Sequence, residues 1–331
     1  MHWIQFFISA LFIVLAGVHL TIYSDKLSDR LHLGKVWIGI VLLGFVTSLP
    51  EAVTSIFSVA VLKANDLAVG NLVGSNNFNP ILIVVMDMIY RRGSVTDAIP
   101  PKASYKVSGF FAMALTAIVG LEIAFVHLGW PLWRPGSVSP GCWLIAILYF
   151  VGMRQLALLS KEDVVGGADK KINESLKKII WHLFFSAVIV VVCSIFLAES
   201  ADEIAVQTKL GRTLVGTIML AFVTSLPEMV VSISALKIGS LDLAIGNIFG
   251  SNMTNMFILF ICDVFYLQSP LVTDVSVKHI FTVFLGLSLV YMLLFGIYRK
   301  NKKLILGMGW DTVVMLGLFL FGTFVIQYGV K

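Results

Sequence analysis

The chain has 331 residues, 58% of them hydrophobic and 13% charged, and a mean hydropathy of +0.93. These values exclude a water-soluble globular domain and place the chain in a lipid bilayer. The formal net charge of +5 is read through the placement of Lys and Arg over membrane loops, and no nucleic-acid partner is expected.

Apolar runs long enough to cross roughly 30 Å of hydrocarbon predict an all-α integral membrane protein with about ten transmembrane helices. The spans are 3–22, 36–64, 66–90, 104–127, 138–159, 176–198, 211–237, 242–266, 275–298 and 307–327. The first run follows Met1 and His2 without a basic leader or a small-x-small cleavage site, so it is expected to be a retained helix. The second span contains "GFVTSLPEAVTSIFSV" from Gly44, with a proline and a carboxylate inside an otherwise apolar helix. The third opens "DLAVGNLVGSNNFN" from Asp66. The longest polar interval, about Ser160 to Lys178 with Gly166 and Gly167 inside it, reads as a linker. The seventh and eighth spans repeat the earlier motifs as "AFVTSLPEMVVSISAL" from Ala221 and "DLAIGNIFGSNMTN" from Asp242. Cys142, Cys193 and Cys262 lie scattered in apolar segments with no CxxC spacing, and read as packing residues outside any disulfide framework or zinc site.

Of the 24 Lys and Arg residues, 18 fall on the odd-numbered loops, and the remaining 6 on the even-numbered loops and both tails. The positive-inside rule then predicts odd loops in the cytoplasm and both termini outside.

An offset of 177 residues superimposes Leu20 on Leu197, Gly34 on Gly211, Gly39 on Gly216 and Glu51 on Glu228. After a single deletion the offset is 176, and Asp66, Ser75, Asn79 and Asp87 meet Asp242, Ser251, Asn255 and Asp263. The expected organisation is a first repeat over 1–159, a cytoplasmic linker over 160–175 and a second repeat over 176–331. Five spans separate matching helices, an odd number, so the halves cross the membrane in opposite senses: an inverted 5+5 repeat. Secondary transporters use this architecture, with substrate near the midplane where interrupted helices meet.

Pro50 has no N–H and its ring crowds the preceding turn, so the Val46 carbonyl loses its helical partner and that of Thr47 is disturbed. Free carbonyls in hydrocarbon are tolerated only where they face protein or a wet cavity. Beside the hydroxyls of Thr47 and Ser48 and the carboxylate of Glu51, they suit a cation. Pro227, with Val223, Thr224, Ser225 and Glu228, supplies the mirror half, and the following helices add Ser75, Asn79, Ser251 and Asn255. A hard cation such as Ca²⁺ takes about six to eight oxygens, and two carboxylates match one divalent ion. No intramembrane Lys or Arg is placed to pair them, and a carboxylate in that position is a functional feature by default.

The paired "TSLPE" motifs and the paired "GN" followed by "GSN", all in order at repeat spacing, resemble the cation/calcium exchanger superfamily. Within it the chain is similar to compact bacterial inner-membrane members of the sodium/calcium exchanger family, along its whole length. The resemblance implies ten helices with external termini, an inner-membrane location, and alternating access in which the first and sixth helices slide past the other eight. It also implies Glu51 and Glu228 as central ligands, with backbone and hydroxyl oxygens from Thr47 and Thr224. Ser48, Ser225, Ser75 and Ser251 would complete flanking sodium positions, with backbone oxygens from Gly44 and Ala221. Four residues beyond the GSN serine the family has Asn in the first repeat and often Asp in the second. Here Asn79 and Asn255 are both amides.

Several residues leave two readings open. Asn76, Asn79, Asn252 and Asn255 can serve an ion or bond between helices. Gly70, Gly74, Gly246 and Gly250 read as close-packing sites. Asp87 and Asp263 read either as ion-entry acids or, with Arg91 and Arg92 one turn beyond Asp87, as an interfacial ion pair. His127, His182 and His279 read as isolated residues at the membrane borders. The expected function is exchange of Ca²⁺ for Na⁺, with Ca²⁺/H⁺ or K⁺-dependent exchange as the alternative and a channel further away. Catalytic motifs are missing, so no enzyme activity and no cofactor are expected. The expected partners are Ca²⁺ and Na⁺ as transported ions and the lipid bilayer, with no obligate protein partner.

Overall fold

The computed structural model describes residues 2–90, 93–129, 138–161, 174–207, 223–300, 303–305 and 307–329. Helices α1 (His2–Leu31), α2 (Lys35–Thr47), α3 (Leu49–Ala60), α4 (Asn65–Ile89), α5 (Ala103–His127) and α6 (Pro140–Leu159) form the first half of the chain. The second half contains α7 (Leu176–Gln207), α8 (Leu226–Lys237), α9 (Leu241–Phe265), α10 (His279–Arg299) and α11 (Trp310–Phe324). Among the described residues eight helices are long and apolar enough to cross a membrane, and the bent pair α2–α3 makes a ninth span. The expected span 211–237 is described from Val223 onward, and the Ala221 position lies outside the described residues. The first and sixth spans run further than the apolar count, to Leu31 and Gln207.

The helices are held by apolar burial inside the protein and by an apolar belt outside it. Phe7, Leu11, Phe284 and Phe321 are all more than half exposed, as a chain solvated by hydrocarbon requires. The chain folds into two compact units that each draw on both sequence halves: residues 1–50 with 157–251, and residues 51–156 with 252–331. In the first, α1 packs along α7 and α8, around a cluster of Ile13, Leu197, Ala201, Val223 and Val230. In the second, α10 packs on α4, α5 and α11.

The two "TSLPE" stretches adopt one local conformation. After a π-helical turn at Gly39–Leu43, α2 ends at Ser48 with φ −87° and ψ −1°, and the helical path bends by 44° into α3. Ser225 has φ −89° and ψ 10°, with Pro227 in the first turn of α8. Both serines sit in the sparsely populated bridge region, where helical hydrogen bonding is interrupted. Because Pro50 and Pro227 carry no N–H, the carbonyls of Val46 and Val223 have no partner four residues on.

Asp87 and Asp263 each fasten a loop, and Arg91 and Arg92, the partners in the ion-pair reading, lie outside the described residues. Asp87 accepts hydrogen bonds from the Val95 N–H at 2.7 Å, the Gly309 N–H at 2.6 Å and the Thr312 hydroxyl at 2.7 Å. Asp263 accepts from the Leu271 N–H at 2.6 Å and the Ser139 N–H at 2.7 Å. In both repeats the carboxylate takes the N–H eight residues later, fastening the loop that leaves its helix. His182 and His279 also prove less isolated than their sequence neighbours suggest. His182 stacks on Tyr23 with centroids 4.2 Å apart and lies 5.1 Å from the His19 ring. His279 Nε2 is 3.1 Å from Asp66 Oδ1, while His127 stays within its own helix against the Ile123 carbonyl.

Candidate cation site

In the unit of residues 1–50 and 157–251, the site is built where α2 meets α9. Gly44 allows the contact: a Cβ there would stand 2.7 Å from the backbone of Gly250 and Ser251, a clash that no side-chain rotation relieves. The same closeness at Gly246 and Gly250, against Val36 and Ile40, confirms small residues as the packing device in the second repeat. Gly74, the repeat counterpart of Gly250, meets no described atom within 4 Å. With the backbones this close, the Thr47 hydroxyl is 3.2 Å from the Ser251 hydroxyl, 3.2 Å from Asn247 Oδ1 and 2.9 Å from the Leu43 carbonyl. The Ser251 hydroxyl reaches the Gly44 carbonyl at 3.4 Å. Thr47, Ser48, Thr224, Ser225, Glu228 and Ser251 are all buried in this unit. The Ser48 and Ser225 hydroxyls have no hydrogen-bond partner among the described residues.

In the unit of residues 51–156 and 252–331, Glu51 is fully buried, and Ser75 lies beside its carboxylate. Neither carboxylate oxygen has a hydrogen-bond partner within the described residues, so Ser75 is near without satisfying it. Across the contact of α4 and α9 four asparagines form a network with approximate two-fold symmetry. Asn76 Nδ2 donates to the Asn252 backbone carbonyl at 3.1 Å, and Asn252 Nδ2 donates to the Asn76 carbonyl at 3.2 Å. Asn79 Nδ2 donates to Asn252 Oδ1 at 2.8 Å, and Asn255 Nδ2 to Asn76 Oδ1 at 3.1 Å. Sequence supplies a reason for part of this. Pro80 lies inside α4 and deprives the Asn76 carbonyl of its helical N–H, so an amide from the neighbouring helix takes the vacated place.

The direction of these bonds decides what remains. The amide nitrogens of Asn79 and Asn255 are used inside the network, and their Oδ1 atoms are buried without partners among the described residues. Asn76 and Asn252 thus bond between helices, and they hold Asn79 and Asn255 by their nitrogens and leave the Oδ1 atoms free of partners among the described residues. Every buried side-chain atom left unpartnered in the described residues is an oxygen. Buried polar groups are ordinarily satisfied, so the oxygens at Ser48 and Ser225 in one unit, and those at Glu51, Asn79 and Asn255 in the other, are each of the kind that coordinates a hard cation.

Two residue pairs escaped the sequence reading. Asn71 Nδ2 donates to the Ser55 hydroxyl at 2.9 Å and the Thr54 hydroxyl at 3.1 Å. Asn247 Nδ2 donates to the Ser232 hydroxyl at 3.1 Å and the Glu228 backbone carbonyl at 3.3 Å. The signal was present: Asn follows Gly in both "GN" motifs, and Ser stands four residues after Glu in both helices.

The sequence profile of the sodium/calcium exchanger protein family matches residues 1–153 and 178–327. Among curated proteins, sodium/calcium exchanger MaX1 of Methanosarcina acetivorans is 24% identical over 339 residues, covering 92% of each chain. Inner membrane protein YrbG of Escherichia coli is 25% identical over 264 residues, or 76% of each chain. A solved structure of the sodium-calcium exchanger NCX_Mj, soaked with Na⁺ and Sr²⁺, shares the fold. It has a TM-score of 0.74, 17% identity, and coverage of 99% of this chain and 98% of that one. A profile match over most of both halves decides the assignment, and this multi-pass membrane chain belongs to the sodium/calcium exchanger protein family.

Proposed function

We propose that the chain is a secondary antiporter that exchanges Ca²⁺ for Na⁺ by alternating access across the bacterial inner membrane, with both termini outside. The repeats over 1–159 and 176–331 supply equivalent ligand sets, joined by a cytoplasmic linker at 160–175. Glu51 and Glu228 are the central ligands. Thr47, Thr224, Asn79 and Asn255 add oxygens, and Ser48, Ser225, Ser75 and Ser251, with the backbone at Gly44 and Ala221, complete the sodium positions. The observation that carries this reading is that several of the buried oxygens without a partner in the described residues, at Ser48 and Ser225 in one unit and at Glu51, Asn79 and Asn255 in the other, fall on the positions picked out by motif and repeat. Carboxylate, amide and hydroxyl oxygens of this kind suit a cation as ligands, whereas an anionic substrate would be repelled by the carboxylates.

Ca²⁺ binding to two carboxylates leaves no net charge on those groups, which lowers the cost of carrying the ion through a low-dielectric interior. Sodium competes for the same oxygens, and a gradient of one ion then drives the other. The names of MaX1 and NCX_Mj as sodium/calcium exchangers support the same ion pair. The test is reconstitution of the purified protein in liposomes, followed by uptake of radiolabelled Ca²⁺ under separately imposed Na⁺, H⁺ and K⁺ gradients. Uptake driven by outward Na⁺ is expected. Uptake driven by H⁺ alone assigns Ca²⁺/H⁺ exchange, and a requirement for K⁺ alongside Na⁺ assigns K⁺-dependent exchange.

A further inference from the structure

We infer that Asn71 and Asn247 are positioning residues for ion binding, each fixing the rotation of a helix that carries a site glutamate. The inference rests on the exchange reading and extends it to residues that carry no ligand oxygen for the ion. On α3, Ser55 stands four residues after Glu51, and on α8, Ser232 stands four residues after Glu228. Residues at this spacing share one helical face. A bond to the serine hydroxyl therefore controls where the glutamate points without touching its carboxylate.

In the unit holding α3 and α4, Asn71 Nδ2 donates to the Ser55 hydroxyl at 2.9 Å and to Thr54 at 3.1 Å. In the unit holding α8 and the first part of α9, Asn247 Nδ2 donates to the Ser232 hydroxyl at 3.1 Å. The same nitrogen reaches the backbone carbonyl of Glu228 itself at 3.3 Å. Asn247 also uses its other end: Oδ1 lies 3.2 Å from the Thr47 hydroxyl. One fully buried amide thus holds the end of α2 and the start of α8, both flanking helix breaks. The arrangement recurs across a sequence offset of 176 for the asparagines and 177 for the serines. A bond kept only for packing has no need to recur on the serine one turn beyond each glutamate.

Around a metal ion, removing a residue that orients a ligand costs about 10- to 100-fold in affinity. The test measures Ca²⁺ uptake into liposomes against Ca²⁺ concentration for full-length wild type, Asn247→Ala, Asn71→Ala, Ser232→Ala and Ser232→Thr. Thermal unfolding in detergent is followed in parallel. Asn247→Ala should raise half-saturating Ca²⁺ about tenfold and keep the maximal rate per folded molecule within about twofold. Ser232→Ala should move in the same direction by less, and Ser232→Thr, which keeps the hydroxyl, should restore the wild-type value. If Asn247→Ala does not fold, Asn71→Ala and Ser232→Ala carry the same expectation. Unchanged half-saturation in the folded variants, or a fall in maximal rate and melting temperature alone, overturns the inference and leaves the exchange reading standing. Absence of any gradient-driven Ca²⁺ uptake by the wild type removes both.

Discussion

Asn252→Ala tests whether the asparagine network orients the site. In the wild type this amide donates to the Asn76 carbonyl at 3.2 Å and accepts from Asn79 Nδ2 at 2.8 Å, at 1% exposure. Alanine removes both bonds and keeps the backbone carbonyl that Asn76 Nδ2 uses. Each interhelical bond contributes about 0.6 kcal/mol in a bilayer protein. The Asn76 carbonyl, already without its helical N–H because of Pro80, becomes an unsatisfied buried acceptor at about 1–3 kcal/mol. The stability loss is therefore about 2–4 kcal/mol, readable as a lower melting temperature of the purified protein. The second effect is on affinity. Freed from Asn252, the Asn79 amide can turn its nitrogen toward the place its oxygen now occupies, and half-saturating Ca²⁺ should rise about tenfold or more. Asn79→Ala removes that oxygen outright, so Asn79→Ala with Asn252→Ala should bind Ca²⁺ no more weakly than Asn79→Ala alone, since the two act through one atom. Additive losses of affinity, or an unchanged half-saturation in Asn252→Ala, would refute the claim that Asn252 sets the orientation of Asn79.

Glu51→Gln and Glu228→Gln should each abolish Ca²⁺ uptake while the protein still purifies as a folded monodisperse species, because each removes a charge that offsets Ca²⁺ desolvation; near-normal flux in either removes the proposed site. In a cysteine-free background, Ala168→Cys and Asn301→Cys should react with a membrane-impermeant thiol reagent only after cell lysis, as the distribution of Lys and Arg requires. Labelling in intact spheroplasts would reverse the proposed topology. Gly44→Ala should lower the melting temperature and the maximal flux together, since its Cβ would press on the Gly250 and Ser251 backbone at 2.7 Å and overpacking of this kind costs about 1–3 kcal/mol. A variant as stable and active as wild type would show that α2 and α9 need not approach so closely.

What the sequence revealed and what it withheld divide along a physical line. The helix breaks were legible because proline lacks an N–H wherever it stands, and Ser48 and Ser225 duly share one backbone conformation. Buried glutamates were legible because their cost in hydrocarbon does not depend on the partner helix. Hydrogen-bond direction was not legible. Asn76 and Asn79 differ by three positions on one helix, yet one donates to a backbone carbonyl and the other to a side-chain oxygen of the same residue, Asn252. Only the register of α4 against α9 decides which end of each amide is consumed. The same holds for His182 and His279, whose neighbours Tyr23 and Asp66 lie far away in sequence. Register also gives meaning to the missing acid at position 255. Within the network, Asn255 must donate to Asn76 Oδ1, a bond that an ionised carboxylate there could not make. The amide at 255 and the asparagine at 76 are therefore coupled choices. With Asn255 neutral and its nitrogen engaged, the proposed exchange assigns the charge offered to a cation to the two glutamates, and gives the amides the part of oxygen dipoles held in place by hydrogen bonds among themselves.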